Sequence, residues 1–352
     1  MTIRFVQSML ASADGVFFYP SESMSSIFPG GAKIDVTADS YEAAEAIALR
    51  WSMETTQLEP GRYHFCIQAV HTPHLQLARS WRSLGTQLSG KVPEGSVVLA
   101  FSLNPDARVQ FRGQAVHAGD LIVQEDTRGL DFSFMGKIDI ISISVSRAEL
   151  NRRAQLHWGK PFPSDSRTGL IRFKNAKTSA QAKLKIARAH AQWLKMAELL
   201  ALDGPARQLE DLVLDALFAQ LEDHTKARGS AERHRAAKRA AAYIFDHCRD
   251  DLSMAQLCHA VRATRRTLHL GFVELYGTPP IKYLQCVRLC KVRRELTRSE
   301  NAHKKVTSIA TTWGFNHLGR FAGAYRKFFG ELPSERDLPR NGTARNDRGG
   351  DS

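Results

Sequence analysis

"LSMAQLCHAVRATRRTLHLGFVELYG", residues 252 to 277, reads as two short helices joined by a tight turn. Ser253 stands where a helix N-cap is needed, and Gln256 three residues on completes a capping box. Met254, Leu257 and Cys258 give the first helix one apolar face. A turn at 261 to 264 leads into a second helix, capped by Thr264, with Leu268, Phe272 and Leu275 inward. This is the helix-turn-helix arrangement, whose second helix enters the major groove of DNA. The face opposite Leu268 and Phe272 carries Arg265, Arg266, His269 and Leu270. Arg266 and His269 are the natural readers of base edges there.

The pattern recurs about 50 residues later in "VTSIATTWGFNHLGRFAGAYRKFFG", residues 306 to 330. Ile309 and Ala310 face inward on a first helix, Gly314 is the turn, and Asn316 is expected to cap the second helix. That helix has Phe321, Tyr325 and Phe328 as its inward stripe. Gly319 and Gly323 fall inside it, although a glycine within a helix costs about 1 kcal/mol relative to alanine. Between the two units, Pro280 to Arg298 reads as one long helix opened by proline in its first turn. Such a rod would set the two reading helices about one DNA turn apart on one face.

Charge agrees with this reading. The chain carries a net charge of +13, and the excess is concentrated in its last third. Residues 231 to 352 hold 23 Lys and Arg against 12 Asp and Glu, whereas the first 230 hold 26 against 24. A localised basic surface is the electrostatic footprint of a nucleic-acid-binding module.

The first 150 residues read as mostly strand, with short β-rich runs such as "RYHFCIQAV", "LQLARSW" and "VPEGSVVLAFSL" between Pro and Gly turns. In "IISISVS", Ile141, Ile143 and Val145 alternate with Ser142, Ser144 and Ser146, the period of a half-buried strand. Residues 41 to 53 interrupt the strands with a helical pattern. Ser146 with Glu149 reads as a capping box opening a helix. Residues 176 to 203 read as one long helix. A second, "ARQLEDLVLDALFAQLEDH", carries the stripe Leu209, Leu212, Leu214, Leu217 and Leu221. These two helices either pack on their own domain or form a dimer seam.

The fold class expected is therefore α+β: a β-rich jelly-roll or cupin-like N-terminal domain, a helical connector, and an all-α C-terminal domain with two helix-turn-helix units. The boundaries read as 1–170 for the β domain, 171–224 for the connector, 225–237 for a polar linker, 238–338 for the helical domain and 339–352 for a disordered tail. The start lacks the basic head and apolar run of a signal peptide, and no window approaches 18 uninterrupted apolar residues, so a cytoplasmic protein without a membrane partner is expected. Five cysteines without a C-x-x-C pair read as free thiols in a reducing compartment.

Residues 238 to 338 resemble the DNA-binding domain of the AraC/XylS family of bacterial transcription regulators. The first unit shows "TRRTLHLGF", Gly277-Thr278-Pro279, Tyr283-Leu284 and Arg288-Leu289 at the family spacing. The second shows Ile309-Ala310, Gly314-Phe315, Phe321, Tyr325-Arg326, Gly330 and Pro333. The resemblance implies double-stranded promoter DNA as partner, contacted through Arg265, Arg266, His269, Asn316, His317, Arg320, Arg326 and Lys327. It also implies a small-molecule effector at the N-terminal domain, RNA polymerase as a partner, a homodimer, and no catalysis or cofactor. Activation and repression both remain open. Where relatives often carry a second Arg in the first reading helix, this chain has Leu270. Gly319 and Gly323 replace a polar residue and an Arg that usually reach DNA. The first unit is then expected to carry most base readout through Arg266 and His269, and the second to position on phosphate through Arg320, Arg326 and Lys327.

Two rival readings exist for the β domain: a cupin-like enzyme fused to a DNA-binding module, and a domain that answers to a protein partner. His64, His71, His74 and His117 lie in strand-rich sequence, but "YHFCIQAVHTPH" lacks the H-x-H pair and carboxylate of a metal-binding cupin, so no metal is expected. Cys286 and Cys290 share a helix face and read as small buried hydrophobes. "PGG" at 29 to 31 and "PEG" at 93 to 95 lack the rest of a nucleotide loop, and no nucleophile elbow is present. Phe65, Trp81, Phe101, Phe111, Phe132 and Phe134 either line a pocket inside the β domain or form its core.

Overall fold

The computed structural model of the chain describes residues 16–17, 28–47, 51–104, 106–127, 129–162, 169–173, 176–221, 224–226, 231–301 and 303–335. The proposed tail 339–352 lies outside them. The strands are β1 Val16–Phe17, β2 Lys33–Ala38, β3 Ser52–Gln57, β4 Phe65–His71, β5 Leu75–Arg82, β6 Thr86–Lys91 and β7 Ser96–Ser102. They continue with β8 Arg108–Phe111, β9 Gln114–Val116, β10 Asp120–Glu125, β11 Leu130–Met135, β12 Ile138–Ser146, β13 Leu170–Phe173 and β14 His224–Lys226. All pair antiparallel in two sheets. One has the order β1-β2-β4-β5-β12-β7-β10-β13-β14, the other β3-β6-β11-β8-β9.

The period of β12 shows how the layers stack. Ile141, Ile143 and Val145 lie in a core shared with Ile186, Leu209, Leu214, Leu217 and Phe218 of α3 (Ala176–Trp193) and α4 (Asp203–Leu221). The leucine stripe at 209 to 221 is therefore largely spent on the chain's own β domain. The serines face the other way, between the two sheets, where Ser144 is fully buried and donates to Gln76 Oε1. Strand β13 pairs with β10 and β14, so α3 and α4 are bracketed by strands of the same sheet.

Several local expectations need correction. The helix predicted over 41–53 is α1, Tyr41–Ile47, because the chain turns into β3 at Ser52. The helix predicted over 176–203 stops at Trp193, and a 3-10 turn, Ala197–Ala201, precedes α4. Ser146 caps α2 (Arg147–Trp158) by accepting from the Glu149 N–H, but no reciprocal box forms, since the Glu149 carboxylate binds Arg152 and Arg153. The first C-terminal helix, α5, starts at Glu232, inside the span read as linker.

The C-terminal helices are α5 Glu232–Asp246, α6 Met254–Val261, α7 Arg265–Tyr276, α8 Pro280–Leu296, α9 Val306–Thr312 and α10 Leu318–Phe329. The Ser253–Gln256 capping box forms in full, and Thr264 caps α7. Helix α7 crosses α5 at Gly271, where an added Cβ would meet Arg233 O at 2.3 Å. At Gly314 the backbone is left-handed, φ +81°, as the turn requires. Asn316 does not cap α10. His317 occupies the N-cap without a side-chain bond, because Phe315 packs on Phe321 at 4.9 Å between ring centres and delays helix entry by one residue.

The five-stranded sheet presses its outer face on these helices. Tyr41, Ala44, Tyr63 and Phe65 of the β domain join Leu289, Cys290, Phe321, Tyr325 and Phe329 in one core. Leu58 likewise joins the core of the first unit.

Candidate nucleic-acid interface

Each reading helix buries one stripe and exposes the other. On α7, Leu268, Phe272 and Leu275 are buried while Arg265, Arg266, His269 and Leu270 are exposed. On α10 and its entry, Phe321, Tyr325 and Phe328 are buried while Asn316, His317, Gly319, Arg320, Gly323, Arg326 and Lys327 are exposed. A Cβ built on Gly319 or Gly323 would meet nothing within 4 Å, so neither glycine is there for close packing. Helix α8 spans about 25 Å between the units, from 17 residues at 1.5 Å each. Arg288 at its middle ties the units together: its Nε and Nη2 donate to Cys248 O and Asp250 O, each at 2.7 Å. The same guanidinium lies against the Gly314 turn.

The basic residues of this half divide into two sets. Arg233 is paired with Glu274, Lys238 with Asp131, Lys291 with Glu54, Arg293 with Glu42 and Glu331, and Arg294 with Glu45 and Glu54. Arg249 stacks over Trp313. By contrast Arg265, Arg266, His269, His317, Arg320, Arg326 and Lys327 have no ion pair or side-chain hydrogen bond among the described residues, and all are exposed. The paired cations sit largely towards the β domain and between helices. Those seven share the reading faces; Arg262, Lys282 and Lys305 are also exposed and without an ion pair among the described residues, at the end of α6, on α8 and at the start of α9.

The other end of each reading helix is held by the β domain. Ser133 Oγ donates to Leu275 O of α7 at 2.9 Å, and Gln110 Nε2 to Glu274 O at 3.4 Å. The Gly61 N–H donates to Phe328 O of α10 at 2.9 Å, with Gln57 Nε2 also reaching it at 3.4 Å. These donors satisfy carbonyls that a helix C-terminus leaves open. Sequence reading missed them, because the partners are more than 140 residues apart.

The other sequence candidates are placed as follows. Cys286 and Cys290 are buried against Leu58 O and Gln57 O, and burial pushes both thiols up to about 12. His64 pairs with Asp39 and His117 with Asp120, while His71 is buried on Ala32 O and Gln76. Among the described residues no group of three or more His, Cys, Asp or Glu could hold a metal ion. Phe65, Phe101 and Phe134 are core, and Phe111 and Phe132 line an interior cavity.

A family model described as a helix-turn-helix domain matches residues 257–336. The XylDLEGF operon transcriptional activator 2 of Pseudomonas putida is 30% identical over 135 residues, which are 37% of this chain and 83% of that protein. The chain belongs to the AraC/XylS family. A probable thc operon regulatory protein of Rhodococcus erythropolis is 33% identical over 158 residues, 41% of this chain. The match spans about half, 48%, of that relative's length. Among solved structures, the AraC-like transcriptional activator CuxR aligns over 79% of this chain and 99% of its own at 9% identity, with a TM-score of 0.39. An AraC-type regulator from Chromobacterium violaceum aligns over 29% of this chain and 88% of its own at 27% identity and a TM-score of 0.27. No described helix of this AraC/XylS chain is long and apolar enough to cross a membrane.

Proposed function

We propose that this chain is a sequence-specific transcription regulator that binds promoter DNA through α7 and α10. The sorting of cations carries the reading: the reading faces hold basic side chains with no protein partner, while the basic side chains towards the β domain are neutralised. Unpaired Arg and Lys attract phosphate, and the exposure of Arg266 and His269 on α7 supports assigning base-edge contacts to them. The β domain grips the last turn of each reading helix and leaves the first turns free. A change in that grip would alter the angle between the two helices and so the affinity for a two-segment site. Such a regulator works in the cytoplasm, is controlled by a small molecule at the β domain, meets RNA polymerase at its promoter, and gains phosphate contacts and site length by forming a homodimer.

Genome-wide mapping of bound DNA tests this. The wild type should give discrete peaks sharing a two-segment sequence, and Arg266→Ala should flatten them. Uniform, sequence-blind coverage by the wild type would reject the reading.

A further inference from the structure

Among the described residues from 231 onward, the exposed large apolar side chains are Leu270, Val273, Ile281 and Leu318. Leu270 and Val273 belong to α7, Ile281 follows at the start of α8, and Leu318 opens α10. One exposed leucine is ordinary; confinement of all four to the reading helices and the turn beside them is not.

The strongest case is Leu270, which is 42% exposed. At 3.6 residues per turn, Arg266, Leu270 and Val273 form one stripe of α7 with His269 beside it, opposite the buried Leu268, Phe272 and Leu275. Helix α7 cannot roll to hide Leu270, because Gly271 already lies against the α5 backbone, where a Cβ would meet Arg233 O at 2.3 Å. The leucine therefore stands fixed on the outward face, one turn beyond Arg266.

The floor of the major groove offers a leucine one apolar target. Its other groups are hydrogen-bond donors and acceptors, while thymine alone presents a 5-methyl group. Pressed on N7, O6, O4 or N4, a leucine takes a polar group from water and returns no hydrogen bond. Pressed on the methyl, it removes apolar surface from water on both sides.

We infer that Leu270 is a specificity-determining residue that reads the 5-methyl group of a thymine. This rests on the regulator reading. Leu270 lies four residues beyond Arg266, a rise of about 6 Å, close to two base-pair steps of about 3.4 Å. The thymine then falls within about two base pairs of the base read by Arg266, a guanine by the commonest pairing of arginine.

The experiment selects the preferred site of the full chain from random-sequence duplexes. Each thymine of that site is then replaced in turn by deoxyuridine, which lacks only the 5-methyl group, and affinity is read by fluorescence anisotropy. One replacement, beside the position whose preference Arg266→Ala relaxes, should weaken wild-type binding about fourfold, as expected for one buried methyl-sized group. Cytosine placed there should bind more weakly than 5-methylcytosine by a similar factor. Leu270→Ala should bind the thymine and deoxyuridine duplexes alike. Leu270→Met keeps an apolar side chain of similar reach and should retain most of the difference, which separates a lost contact from a damaged fold. Wild-type binding blind to every replacement, or a methyl effect as large in Leu270→Ala as in the wild type, would overturn the assignment and leave the regulator standing. Failure of the wild type to prefer any sequence would reject the regulator reading, and the role of Leu270 with it.

Discussion

Arg294 of α8 reaches Glu54 of β3 across the boundary between the two halves of the chain, Nη1 to Oε1 at 2.8 Å. Its Nη2 donates to Glu45 Oε1 at 2.9 Å and to Thr55 O, so one side chain pins a helix of the DNA-binding region to a strand and a helix of the β domain. Breaking a buried pair costs about 3–5 kcal/mol, and partial exposure here lowers that to roughly 2 kcal/mol. Arg294→Met should lower stability by about this amount and speed amide hydrogen exchange in β3 and α8 together. Unchanged exchange in β3 would show that the two halves are held by apolar packing alone.

The two reading helices should differ in what they contribute. Arg266→Ala is expected to relax base preference at particular positions, at about 1–3 kcal/mol for the preferred site. Lys327→Ala should weaken binding to all sequences alike and reduce the salt slope by about one. Equal, sequence-blind losses in a binding-site selection with both variants would remove the division of labour.

What could be read from sequence follows the range of the interaction. The helix-turn-helix units were legible because Ser253–Gln256, Thr264 and the apolar stripes act within one helical turn. Entry into α10 was misplaced by one residue because it depends on Phe315 meeting Phe321, a packing event that outweighs the capping preference of Asn316. The shared core of Tyr41, Tyr63 and Phe65 with Phe329 joins residues more than 260 apart, and no local pattern announces it. The serines of "IISISVS" were read as a half-buried strand's other face. That other face is inside the domain: Ser142 lines the interior cavity, Ser144 binds Gln76 of β5, and Ser146 caps α2.

Gly323 of α10 offers a gain-of-function test. It is exposed, and a side chain there meets no atom within 4 Å at its Cβ. Gly323→Arg should preserve the fold, raise helix stability by about 1 kcal/mol, and tighten DNA binding with a salt slope steeper by about one. Thermal denaturation and binding at two salt concentrations read both effects. Unfolding would place Gly323 in a contact absent from the isolated chain, such as a second copy.

His71 sets a pH limit on the β domain. It is completely buried, its Nδ1 bonded to Ala32 O at 2.9 Å and its Nε2 meeting Gln76 Nε2 at 2.7 Å. The carbonyl requires the proton on Nδ1, which leaves Nε2 to accept from the Gln76 amide. Burial pulls the imidazole down from 6.5 to about 4, with the bond to Ala32 O acting weakly the other way. The folded value lies below the unfolded one, so the unfolded chain takes up a proton first as pH falls. Stability from this residue is complete above about 6.5 and is lost as pH drops towards 4, by about 3 kcal/mol in all. Glu45 and Glu210 are shifted upward by burial and act with the opposite sign, so the difference between wild type and His71→Gln isolates the histidine. Denaturant unfolding from pH 7 to pH 4 should show a steeper fall for the wild type than for the variant. Parallel curves would mean that His71 accepts a proton in the folded state, and with it that the Gln76 end of the cavity wall rearranges before the domain unfolds.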